Sequence, residues 1–162
     1  MATGRYVFRR MTAADLTLIQ AWLTSPHIRE WWGDPDEQYA LVSGDLNDPA
    51  MDQYIISLAG SPFGYLQCYE LTAWNTGFGP HPQGTRGIDL FIGKSDMIGL
   101  GHGSALLCHF VDDLLRNGSP RVVTDPGPAN SRAIRAYEKA GFERNRVVDT
   151  PDGPALLMIR NP

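Results

Sequence analysis

Three glycines in the stretch IGLGHGSALL, residues 98 to 107, are placed to bind an anion. Gly99, Gly101 and Gly103 lie between a predicted strand and the start of a predicted helix. Glycines at such a junction let successive backbone N–H groups face one concave point, and the helix dipole favours negative charge there. A phosphate or pyrophosphate suits that arrangement. Spacing separates the loop from two familiar phosphate motifs. A dinucleotide fingerprint needs its third glycine at position 104, which is Ser104; a P-loop ending at Gly93-Lys94-Ser95 needs its first glycine at position 88, which is Ile88. A glycine-rich turn with no ligand would carry the same residues, so the loop alone leaves both readings open.

Other side chains stand out by type and place. In GIDLFIG, Ile88, Leu90 and Ile92 alternate with Asp89 and Phe91, which puts Asp89 on the less uniformly apolar face of a strand. In NSRAIRAYEKAGFE, Ile134, Tyr137 and Gly141 share a helical stripe. Packing explains the ring of Tyr137 and leaves its hydroxyl unaccounted for. Asn130 stands at the N-cap of that helix, and Gly141 is the expected left-handed end with Phe142 packed behind it. Asp152 lies in a tight Pro-Asp-Gly-Pro turn, where an aspartate is an ordinary turn residue. His27, His81, His102 and His109 show no ligand spacing, so no metal is expected. Cys68 and Cys108 also lack metal-type spacing and read as reduced, structural thiols.

The elements that must position these residues follow from periodicity. RYVFRR at 5 to 10 reads as a strand, and TAADLTLIQAWL as a helix with Thr12 and Asp15 as a capping box. SPHIREWWGDPDEQYALVSGDL is punctuated helix and loop. QYIISLAG and FGYLQCYEL flank Gly60-Ser61-Pro62 as a hairpin, and AWNTGFGPHPQGTRG reads as a mobile surface loop. After the strand GIDLFIG, a helix is predicted from about Gly103 to Arg116, with Leu107, Phe110, Val111 and Leu114 on its buried stripe. RVVTD, the Tyr137 helix, and a closing hairpin of NRVVDT and PALLMIR complete a mixed α/β single domain spanning 1–162.

Composition bounds the partners. The chain has 162 residues, 43% of them hydrophobic and 20% charged, enough for one buried core. No segment approaches the roughly 20 apolar residues of a membrane span, so a soluble, cytoplasmic protein is expected, with no membrane partner. The net charge of −4 disfavours nucleic acid, whose phosphates call for a clustered basic surface. A small cationic substrate suits this charge better.

The loop and helix IGLGHGSALL, followed after a strand by NSRAIRAYEKAGF, resemble the two signature segments of the GNAT superfamily of N-acetyltransferases, and the element order matches over nearly the whole chain. HIREWWG, RGID, TDPGPANSRAIRAYEKAGFER and TPDGPA together resemble the aminoglycoside 6′-N-acetyltransferases. The resemblance implies a mostly antiparallel central sheet with flanking helices, and acetyl-coenzyme A as co-substrate. It implies that Ile98, Gly99, Gly101, Gly103 and Ser104 hold the coenzyme, with a contact from Asn130. Where this chain has Ile98 the superfamily often has Arg or Gln, so backbone amides must carry more of the phosphate recognition. The stretch after EWWG is short, and the AWNTGFGPHPQG loop lacks the acidic run of some aminoglycoside enzymes.

Acetyl transfer from a thioester needs a neutral amine, yet an alkyl amine with a pKa near ~10.4 is only about one part in a few thousand neutral at pH 7. The resemblance implies that Asp89 contacts that amine, as a base or as an anchor that passes its proton to water, and that Tyr137 is the general acid for the departing thiolate. It also implies that Asp152 binds a second ammonium of the sugar. Trp31 and Trp32 beside Glu30 form a candidate aromatic and acidic wall for a cationic sugar, with at least one tryptophan expected in the core. No cysteine or serine sits with a base in a nucleophile arrangement, so the amine is expected to attack directly in a ternary complex. The chain would act as a monomer or homodimer and confer resistance. The same chemistry could serve a siderophore precursor, another small amine or a protein N-terminus, and a coenzyme A-binding sensor module is the reading without turnover.

Overall fold

The computed structural model of the chain describes residues 5–74 and 77–162. Asn75 and Thr76, inside the expected surface loop, lie outside the described residues. The elements run β1 (Tyr6–Arg10), α1 (Leu16–Leu23), α2 (Pro26–Trp32), α3 (Pro35–Gly44), β2 (Met51–Leu58), β3 (Ser61–Glu70), β4 (Arg86–Ile92), α4 (His102–Arg116), β5 (Val122–Thr124), α5 (Ser131–Lys139), β6 (Glu143–Thr150) and β7 (Gly153–Arg160). The strands form one sheet in the order β1-β2-β3-β4-β5-β7-β6. β1–β2, β5–β7 and β6–β7 pair antiparallel, and β4–β5 pair parallel. This is the mixed α/β class that the periodicity implied. Among the described residues, no helix is long and apolar enough to cross a membrane.

By their contacts the residues divide into two compact units, 1–68 with 90–100 and 69–89 with 101–162. In the first unit, Asp15 accepts the Thr12 N–H at 2.9 Å ahead of α1, which buries Ile19, Trp22 and Leu23 at helical spacing. Proline at the first turn starts both α2 and α3, and Asp34 caps α3 by accepting the Glu37 N–H at 3.0 Å. These helices pack with Ile55, Tyr65 and Phe91 into one apolar cluster. The β2–β3 turn is Ala59-Gly60, with φ of 50° and 78°, and Ser61 and Pro62 already belong to β3. Two positive φ values give the twist that a two-residue hairpin needs, which starts the turn one residue ahead of the expected Gly-Ser-Pro segment.

In the second unit, α4 buries Leu106, Leu107 and Val111, so the buried stripe runs through Leu106 rather than the half-exposed Phe110 and Leu114. α5 buries Ile134 and Tyr137. Gly141 follows α5 at φ 92°, with Phe142 buried behind it as expected. At Gly87 on β4 a Cβ would run into the Tyr69 ring, so only glycine lets that ring lie against the strand one residue before Ile88. The loop after β3 is pinned rather than free at Phe78, which is buried and whose carbonyl accepts Arg146 Nη2–H at 3.0 Å.

Candidate functional site

The topology of the second unit decides where its functional side chains meet. β4 and β5 are parallel, and β5 and β6 are each antiparallel to β7, hence parallel to each other. α4 leads from β4 to β5 and α5 from β5 to β6, so both helices return against the strand direction. Their N-termini therefore open at the end of the sheet where β5 finishes at Thr124, the end at which open α/β sheets collect ligands.

At the start of α4 the backbone is shaped for an anion. Gly101 is the N-cap at φ 83°, and Gly99 takes φ 78°. A Cβ at either position would meet open space, so positive φ rather than crowding calls for glycine. No side chain caps the helix, and the first turn carries no acidic residue. The first helical bond is Ala105 N–H to Gly101 O at 3.2 Å, while Ser104 Oγ turns back to the same carbonyl at 3.3 Å. The N–H groups of Gly103 and Ser104 precede that bond and are orphan donors at the positive end of a 15-residue helix. That donor set fits the diphosphate of a coenzyme. Ile98 enters the loop half-buried with extended backbone. Asn130 is committed differently, because its side chain caps α5 by accepting the Ala133 N–H at 3.3 Å, which leaves its amide nitrogen for any ligand.

Three carboxyl groups interact close to this end. Asp89 on β4 is half-buried and shares a side-chain hydrogen bond with Asp125, the residue after β5. The Asp125 carboxyl is pushed up to about 9, first by burial, then by the Asp89 charge and that hydrogen bond, with the Asp152 charge adding to it. Near neutral pH the Asp89–Asp125 pair therefore retains a proton. Asp152 is exposed in the β6–β7 turn, which Thr150 Oγ1 ties by donating to Gly153 O at 2.7 Å and accepting the Asp152 N–H at 3.2 Å. Among the described residues, no three His, Cys, Asp or Glu side chains gather as ligands for a metal ion.

Tyr137 is 6% exposed, its ring edge-on to Phe142 at 5.3 Å. The phenol is raised above its ordinary range by burial first and then by the Asp89 charge, partly offset by the Thr124 hydroxyl, with a smaller push from the Asp125 carboxyl. It stays protonated throughout the neutral range. The structure thus brings Asp89 and Tyr137 within electrostatic reach of Asp125, on which the Asp152 charge also acts, and adds two residues that the sequence reading did not single out, Asp125 and Thr124. The available signal was their place at the end of a short strand leading into a helix.

Glu30, Trp31 and Trp32 belong to α2 in the first unit. Glu30 is exposed and Trp31 is 44% exposed. Trp32 meets Phe91 edge-on at 5.1 Å and Tyr65 at 6.3 Å, so it is the tryptophan that packs against the core. A cavity of about 410 Å³ opens in the second unit, lined by Leu71, Trp74, Phe78 and His81 among others. No carboxylate is among its described lining residues.

Residues 11–150 match the acetyltransferase (GNAT) domain family. The chain is 39% identical over 164 residues to aminoglycoside N(6′)-acetyltransferase type 1 of Klebsiella pneumoniae, covering 94% of this chain and 81% of that protein. It superposes on AAC(6′)-Ib solved with paromomycin and acetyl-CoA with a TM-score of 0.84 and 37% identity, over 97% of this chain and 93% of that one. AAC(6′)-Ib solved with coenzyme A and kanamycin gives a TM-score of 0.83 and 37% identity, over 96% and 94%.

Proposed function

The chain is an acyltransferase belonging to the GNAT acetyltransferase family, and from that premise we propose that it transfers an acetyl group from acetyl-coenzyme A to the 6′-amine of aminoglycoside antibiotics, giving resistance. The observation that carries the acceptor class is the interacting set Asp89, Asp125 and Asp152 in a unit that also holds the open start of α4. Several carboxyl groups around one phenol suit a ligand with several ammonium groups. The similarity to enzymes named for the N(6′) position supports the choice of amine.

In this reading the N–H donors of Gly103 and Ser104 hold the coenzyme diphosphate, with Ile98, Gly99 and Gly101 shaping the approach and the Asn130 amide nitrogen adding a contact. The coenzyme supplies the acetyl thioester. Asp89 anchors the reacting ammonium and passes its proton to water, since an ordinary aspartate at ~3.9 is too weak a base to keep it. Asp152 holds a second ammonium. Arrival of a cation favours ionisation of Asp125, so the pair gains charge when the ligand needs it. The neutral amine attacks directly in a ternary complex; the new C–N bond forms, the C–S bond breaks, and one proton is released to solvent overall. Tyr137 donates a hydrogen bond to the departing thiolate. A thiol near ~8.5 is a stronger acid than this raised phenol, so Tyr137 stabilises the thiolate more than it surrenders its proton. On α2, exposed Glu30 and Trp31 are separate candidate contacts for cationic sugars, and Trp32 is left as packing. Acetyl-coenzyme A supply places the reaction in the cytoplasm.

The test is thiol release from acetyl-coenzyme A against aminoglycosides with and without a 6′-amine, beside small amines and peptides. Turnover restricted to 6′-amines supports the reading. Turnover on other amines alone keeps the acyltransferase and discards the antibiotic. Coenzyme binding without turnover on any of them would leave a sensor module.

A further inference from the structure

α5 is nine residues long, too short to persist without tertiary support, and the carbonyls of its last turn have no partners within the helix. Each of them is nevertheless bonded. Tyr137 O accepts the N–H groups of Ala140 and Phe142, and Glu138 O accepts that of Gly141, all at 3.0 Å. Lys139 O accepts the Cys108 thiol of α4 at 3.8 Å, a weak bond. Ala140 O accepts Nη1–H of Arg160 at 2.9 Å, and Nη2 of the same guanidinium pairs with the Asp112 carboxylate of α4. Cys108 and Asp112 are four residues apart and so share one face of α4. Arg160 ends β7, opposite Val122 of β5, and its stem crosses the turn after α5, where a Cβ on Gly141 would come within 3.2 Å of Nε. One side chain thus ties the sheet, α4 and the end of α5 together. Asp112 is half exposed, so the ion pair alone counts for little; what matters is a planar fork that reaches two partners in fixed directions.

We propose that Arg160 is a positioning residue of the acetyl transfer, its guanidinium clamping the last turn of α5 to α4 and so setting where the Tyr137 hydroxyl lies relative to the coenzyme. This rests on the roles given above to Tyr137 and to the open start of α4. Tyr137 stands in the final turn of α5, three residues before Ala140. The Asn130 cap holds the other end of that helix, so release of the clamp swings α5 about its start and displaces Tyr137 more than the cap. The Gly103 N–H lies nine residues before Asp112, about 13 Å away along α4, and stays in place. A shift of even an ångström at the phenol therefore costs rate and spares coenzyme affinity.

The experiment measures Arg160→Met, which keeps the apolar stem and removes the fork, with kanamycin and acetyl-coenzyme A at a temperature where the variant is folded. The expected result is a kcat at least about fivefold lower, with the acetyl-coenzyme A KM within about twofold. In a Tyr137→Phe background the same substitution should cost at most about twofold, because the hydroxyl it positions is already gone. A smaller kcat loss in the single variant, a larger one in the Tyr137→Phe background, or a KM that rises beyond twofold overturns the proposal. Should Arg160→Met fail to fold, Asp112→Ala, a change at a half-exposed helical site, is used instead, with a kcat loss of at least about twofold expected and a smaller one overturning the proposal. Carbon-13 NMR of the labelled tyrosines supplies a readout without turnover. The ring resonances of Tyr137 should shift or broaden in whichever variant folds while the amides of Gly103 and Ser104 keep their positions, and an unaltered Tyr137 ring overturns the proposal. If the wild-type protein acetylates no aminoglycoside, the functional reading fails, and the ring resonances still decide whether the clamp holds Tyr137.

Discussion

α4 and α5 begin at the same end of the sheet and face the same local problem, yet they resolve it in opposite ways. Every helix starts with backbone N–H groups that have no partner within the helix. α5 closes its own end, with the Asn130 side chain accepting from Ala133 N–H at 3.3 Å. α4 starts on left-handed Gly101, has no side-chain cap and exposes its first-turn donors. A helix end that is capped is complete as it stands, whereas one that is left open is completed by whatever anion arrives. On the proposed reading, α4 receives the coenzyme and α5 holds Tyr137.

The largest expected effect attacks the open end. Gly101→Glu puts an L-residue at φ 83° and a carboxylate in the proposed diphosphate site. Coenzyme A affinity, read by calorimetry, should fall by at least about a hundredfold, and unchanged affinity would remove the loop from the site. Next comes the cargo of the closed helix. Tyr137→Phe should lower kcat by about a hundredfold while coenzyme A affinity stays within about twofold; an unaffected rate would mean the hydroxyl only packs. Asn130→Ala then tests the closure itself. It should cost about 1 kcal/mol in a denaturant titration and change kcat by less than Tyr137→Phe does, and if coenzyme affinity collapses instead, the two helix ends are not as different as their caps suggest.

A separate prediction concerns pH. Folded Asp125 keeps its proton up to about 9, but the unfolded chain releases it near the ordinary 3.8. Between those values the folded state binds more protons, so stability from this group is greatest below the lower value and declines as pH rises toward the upper one. The wild-type melting temperature should therefore drop between pH 5 and 9 relative to Asp125→Asn. Parallel curves for the two proteins would show that Asp125 ionises like a surface aspartate.

What could be read from the sequence divides along the same line. The open loop, the cap at Asn130 and the stripe through Tyr137 are local, written in residues a few positions apart, so periodicity and glycine spacing reveal them. The Asp89–Asp125 bond and the Thr124–Ile88 bond each link residues 36 positions apart, as the register of a parallel pair dictates. No spacing within RVVTD hints at that partner. Which of Trp31 and Trp32 packs against the core is hidden for a related reason, since adjacent identical side chains point to different surroundings and only tertiary packing decides which of them is exposed.

The division of the chain also has a consequence for its birth on the ribosome. The first unit needs residues 90–100, and Phe91 in particular belongs to the apolar cluster of Trp22, Ile55 and Tyr65. While residues 69–89 are being added, at about 5–20 per second, the nascent N-terminal portion waits with that cluster incomplete. For an interval on the order of seconds the emerging chain must present apolar side chains to whatever surrounds it, so synthesis speed and chaperone supply act on how much enzyme a cell obtains.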